Sequence, residues 1–281
     1  MLADANLELP QEIKHLINAI ENNELTLPTL PENAIKLQTM LDDMNVSITQ
    51  IVSAISADPV FATQLMMKAN SAFYSGKPKV DNLQAAVSRL GYKTLRNLVI
   101  NISMKKFSNA DNLVIRKLLS GFMQHSQETA AVSYVLVQSQ KHLNADEATL
   151  AGLVHDIGVL PICLYLDKNI NTIDEQACNQ IICKYSGLVG SRLLKLWQFP
   201  EDISDIPSDH EDLQHETGKP LATYSDIVTV ANLISQASAK FIAWENVTAI
   251  KKLGITAELC REFYDRLAGD IQRARSLLFA S

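Results

Sequence analysis

Along almost the whole chain, apolar side chains recur three and four residues apart, the period of one face of a helix. Residues 10–22 present Ile13, Leu16, Ile17 and Ile20, and residues 33–44 present Ile35, Leu37, Met40, Leu41 and Met44. Between them Pro28 and Pro31 hold a short, stiff connector. Ser47 with Gln50 reads as a capping box opening a helix with Ile48, Ile51, Val52 and Ile55 inward. Asp58-Pro59 repeats the start signal. Asp81 with Gln84 marks another start, and Leu83, Ala86, Val87 and Leu90 run to Gly91. A helix over 92–105 follows almost at once. A long helix from about Asn109 carries His125 near its middle. Strand signals, alternating β-branched runs bounded by Asn-Gly or Asp-Gly, do not occur.

The stretch NADEATLAGLVHDIG, residues 144–158, reads as one helix capped by Asn144, with Glu147 placed to reach back to the free amide. Leu150, Leu153, Val154 and Ile157 make its apolar stripe, and Gly158 reads as a left-handed stop. His155 and Asp156 therefore fall at the end of an otherwise apolar helix. Further helices follow, one with Leu193, Leu194, Leu196 and Trp197 stopping at Pro200. Residues 204–222, acidic and punctuated by Pro and Gly, read as an exposed loop. A strongly helical segment over 223–241 and one or two final helices complete the chain. The expected fold is all-α: an N-terminal helical subdomain over 10–106, a second helical subdomain over 107–240 and a helical extension over 241–281.

Composition adds limits. The 281 residues suffice for a full core, with 47% hydrophobic and 20% charged residues. The net charge of −6 argues against a nucleic-acid partner, which a basic face would attract. No run approaches the roughly 18 apolar residues of a membrane span, and no basic-then-apolar leader opens the chain. Cys163, Cys178, Cys183 and Cys260 lack metal-binding spacing and read as reduced thiols. These features point to the cytoplasm.

Several segments together resemble the HD-related output domain (HDOD) family. They are LPTLPENAIKLQTM, ISADPVFATQLMMKANSAFYS, LQAAVSRLGYKTLRNLVI, AGLVHDIG, and GLVGSRLLKLWQFPEDI with its Gly, Leu-Leu, Trp and Pro, spanning 27–235 in family order. The resemblance implies an HD-domain-like helical bundle in a bacterial protein, used as a regulatory module of signal transduction rather than as an enzyme.

HD phosphohydrolases, to which that family is related, hold divalent metals through a first His, a His-Asp pair and a distant Asp. Imidazole and carboxylate suit such ions. The matching positions are His125, His155, Asp156 and Asn232, so a neutral amide stands where a carboxylate belongs. Asp226, six residues and about 240° from Asn232 on the helix, points elsewhere. Val159 replaces the lysine frequent after HDIG, and Ser186 a histidine. The set reads as the remnant of a site, serving as a His–Asp brace; a weak one-metal site is the alternative. His210 and His215, among acidic residues, read as part of the solvated loop.

Asn70, Ser71, Tyr74 and Arg96 are polar residues amid apolar helices, either braces or the lining of a ligand or partner groove. Lys68, Lys77, Lys79, Arg89, Lys93, Arg96, Lys105 and Lys106 read as a solvated basic face. The leading expectation is a non-enzymatic, stand-alone module acting on signalling proteins without a cofactor. The alternatives are a metal-dependent phosphohydrolase and a sensor of a nucleotide second messenger.

Overall fold

In the computed structural model the described residues are 11–28, 30–43, 45–71, 78–107, 110–169, 174–216, 218–236 and 243–279. Among them every regular element is helical. In chain order these are α1 (Gln11–Glu21), α2 (Glu32–Asp42), α3 (Ile48–Ser56), α4 (Pro59–Ala69), α5 (Leu83–Leu90), α6 (Tyr92–Phe107), α7 (Leu113–Leu136) and α8 (Ala145–Val154). The second half comprises α9 (Val159–Asn169), α10 (Glu175–Leu196), the short α11 (Glu201–Ser204) and α12 (Ile206–Asp209), α13 (Tyr224–Gln236), α14 (Thr248–Leu253) and α15 (Ala257–Phe279).

Side-chain caps set most of the helix starts. Ser47 and Gln50 form the capping box in full. Asn112, Asn144 and Asp174 each accept two backbone N–H groups at the starts of α7, α8 and α10. Asn82, not Asp81, caps α5, accepting from Ala85 N at 2.8 Å. Glu147 does not complete a box with Asn144. The Asn144 N–H is donated instead to the Tyr224 hydroxyl at 3.1 Å, and the Glu147 carboxylate lies 3.5 Å from Lys93.

The stretch 144–158 is not one helix. α8 ends at Val154, residues 155–158 form a tight turn, and α9 begins at Val159. Bonds from Ile157 N to Val154 O (3.1 Å) and Val159 N to Asp156 O (3.0 Å) close it with three-residue steps. Gly158 is not left-handed, either. Its role is closeness: a Cβ there would sit 2.0 Å from Ser186 O and 2.6 Å from Gly190 N on α10. Gly152 does the same for α7, where a Cβ would meet Ala130 Cα and Ser133 Oγ at 2.7 Å. Pro161 falls in the first turn of α9, where its missing N–H leaves no bond unmade.

α7 and α13 run through both apolar cores. One core gathers side chains from Leu16 on α1 to Val228 on α13 and so crosses the 106/107 boundary. The other packs the second half of α7 with α13, α14 and α15. The N-terminal helices are tied to α10: Trp197 Nε1 donates to Pro28 O (2.9 Å) and Gln38 Nε2 to Trp197 O (3.2 Å). The stretch Ala145–Asn169 has the length and apolarity of a membrane span, yet 83% of its most apolar window is buried inside the protein. Residues 204–222 are not simply an exposed loop, because α12 turns its apolar side and His210 inward.

Candidate functional site

Four helical segments converge on Asp156. α7 brings His125, the α8–α9 turn brings His155 and Asp156, the residue after α12 is His210, and α13 brings Asn232 and Gln236. His155 and His210 are buried, while the Asp156 side chain keeps 21% exposure. Asp156 Oδ2 lies 3.3 Å from His155 Nε2 and 3.8 Å from His125 Nε2, and Oδ1 lies 3.3 Å from His210 Nε2. The three rings meet edge to face, with centroids 5.1 and 4.9 Å apart.

The far nitrogens fix the rings. His155 Nδ1 donates to Gly152 O at 2.8 Å and His210 Nδ1 to Ile206 O at 3.1 Å, so both Nε2 atoms are directed at the carboxylate. This is how ligating histidines are oriented. His125 is held differently. Its Nε2 lies 2.9 Å from Asn232 Oδ1, which also accepts from Gln236 Nε2 at 2.7 Å. The amide thus occupies the ring nitrogen that would face an ion.

Burial, then the neighbouring His155, pushes the His125 pKa down to about 4, so this ring is neutral near pH 7. Burial alone would raise Asp156, but His155 and His210 hold it well below the usual carboxylate range. Burial works against charge on His210 too, and there the Asp156 carboxylate prevails and raises the pKa. The pair is therefore a carboxylate facing an imidazole that favours its proton.

As metal donors, His125, His155 and Asp156 form one set with ligand atoms within 4.8 Å of one another, and Asp156, His210 and Glu211 form another. Three imidazoles and a carboxylate fit a single divalent ion chemically. They fit a pair of ions poorly: Asn232 is neutral, Ser186 offers no imidazole, and Glu211 is exposed. Asp226 is no substitute, because its Oδ2 accepts from Thr223 N at 2.8 Å and its Oδ1 lies 3.6 Å from Lys252.

The structure thus brings together His125, His155, Asp156 and Asn232, and adds His210, which sequence reasoning assigned to the loop. A signal for it was present: Ile203, Ile206 and His210 share one helical stripe, obscured by the acids around them. His215 stays apart, 3.5 Å from Asp209. Asn70 braces the chain after α4 by bonding both Val80 N (2.9 Å) and Val80 O (2.8 Å). Arg96 instead joins α6 to Asp42 of α2, with Glu147 of α8 at 3.8 Å. These two serve different joints. Tyr74 lies outside the described residues, and Ser71 Oγ is buried without a partner among them. Nor is the basic segment a solvated face throughout: Lys68 is buried, and Arg89 donates to Ala69 O and Pro78 O.

The HDOD domain family model matches residues 27–213. A protein of Treponema pallidum (strain Nichols), described as uncharacterized, is 24% identical over an alignment of 233 residues that covers 79% of this chain. The chain spans only 45% of that relative's length. Among solved structures, a candidate metal-dependent phosphohydrolase from Shewanella amazonensis SB2B superposes with a TM-score of 0.77. It is 21% identical, over 95% of this chain and 98% of the other. An HDOD domain protein of unknown function from Geobacter sulfurreducens gives 0.68 at 20% identity, over 96% and 98%. At such identities the likeness is one of fold.

Proposed function

This chain belongs to the HDOD domain family, and from that premise we propose that it is a non-enzymatic regulatory module of signal transduction, acting in the cytoplasm through protein contacts. The observation that carries the reading is Asn232. Where metal chemistry needs an anionic ligand, its neutral Oδ1 takes up His125 Nε2 and is itself held by Gln236. Phosphoryl transfer depends on charge placed around the transferring group. Here one carboxylate, Asp156, is already engaged by two imidazoles. The cluster works as a brace joining α7, the α8–α9 turn, α12 and α13, through the contacts of His155 and His210 with Asp156 and of His125 with Asn232.

A second reading rests on the pinned Nδ1 atoms of His155 and His210, which leave Nε2 lone pairs oriented for an ion. Under it, His125, His155, Asp156 and His210 would hold one divalent ion, which would supply positive charge at a phosphate. Metal analysis of protein purified without chelator decides between the two, beside a His155→Ala, Asp156→Ala double variant. The brace predicts metal-free wild type, no hydrolysis of bis(p-nitrophenyl) phosphate with added Mn²⁺, and a less stable variant. Stoichiometric metal that the variant loses would overturn it. A nucleotide thermal-shift panel tests the sensor alternative in the same preparation.

A further inference from the structure

Lys68, on α4, is only 4% exposed. Its Nζ has no hydrogen-bond partner among the described residues, and neither has Asn101 Oδ1 on α6. Both side chains line one crevice, walled by Gln64 and the exposed Lys105 and closed by Leu278 and Phe279 at the end of α15. No carboxylate lines it among the described residues. Nearby, Lys93, Arg96 and Lys106 each meet an acid: Glu147, Asp42 and Asp58.

An ammonium group buried without a counter-charge is costly, and a fold either neutralises it or brings in an anion. The crevice has a volume of about 10 Å³, room for one particle of about water size. Burial alone lowers the Lys68 pKa to about 7, with no acid near enough to oppose it. At neutral pH the amine is thus poised to take a proton together with an anion. Phosphate and organic anions are too large to enter.

We propose that the crevice between α4, α6 and the end of α15 binds one small, singly charged inorganic anion of chloride size, held by Lys68 with Lys105 at its entrance. Asn101, whose Oδ1 is also without a partner among the described residues, lines the same crevice. The site stands apart from the histidine cluster, and its test is independent of that reading.

The test uses the full chain at pH 7, with chloride exchanged for gluconate at constant ionic strength. Chloride should broaden the ³⁵Cl resonance and raise the melting temperature of the wild type by about 2–4 °C. Lys68→Met should show neither effect. Should that variant fail to fold, Asn101→Asp decides: it supplies a fixed carboxylate in the crevice and should fold without a chloride response. No broadening with the wild type, or an equal chloride response in wild type and variants, overturns the proposal and leaves a crevice that holds water.

Discussion

Three imidazoles and one carboxylate share the centre of this protein, and the single atom that decides their chemistry is Oδ1 of Asn232. It accepts from His125 and Gln236 together, so changing it to a carboxylate alters charge without altering shape. Asn232→Asp is expected to bind Mn²⁺ at least about tenfold more tightly than the wild type, by titration calorimetry. Unchanged affinity would show that the residue does not face the ion position. Lys68 yields a prediction about pH. Its folded pKa of about 7 lies below the ordinary 10.5. Below pH 7 both folded and unfolded chains carry the proton and the cost of burying the charge is felt in full. Between about 7 and 10.5 the unfolded chain binds more proton, so stability rises with pH. In chloride-free buffer, the melting temperature of wild type relative to Lys68→Met should therefore climb from pH 6 to 10, with Lys105 the charged neighbour to control for. A flat difference would contradict the unpaired burial of Lys68.

Two glycines determine how the central helices meet. Gly158 lets the α8–α9 turn touch the α10 backbone, and Gly152 lets α8 touch α7. An added methyl at 158 meets a carbonyl oxygen that cannot rotate away, so one of the helices must move. Gly158→Ala is expected to lose about 1–3 kcal/mol or more, as overpacking does, measured by urea denaturation. Ser47→Ala, which breaks the capping box of α3, should cost about 0.5–2 kcal/mol by the same measurement. If Gly158→Ala were the milder change, the close approach of the turn to α10 would be wrong. Composition and spacing made the helices and the Ser47 box legible. They did not reveal the break after Val154, because the apolar stripe continues through it; contact with α10 makes the tight turn favourable.

At the scale of the molecule, α7 and α13 belong to both cores. The cores are further linked by Arg275 of α15, 3.1 Å from Glu128 on α7, and by His125 meeting Asn232. Calorimetry is therefore expected to show one unfolding transition. The His155→Ala, Asp156→Ala variant should lower its midpoint without splitting it. Two resolved transitions would mean that the α14–α15 region unfolds on its own.

The sequence by itself determined the helical class, most of the helix starts, the family and three of the converging side chains, since periodicity, caps and motif order are local properties of a chain. It also showed the missing carboxylate, because Asn232 stands in a matched position. Only the tertiary structure decided that His210 joins Asp156, that Gln236 locks the amide and that Lys68 is buried without an acid beside it. Each of these depends on which face of a polar segment the packing turns inward. That choice is made by distant helices, through burial and hydrogen bonding that no local spacing encodes.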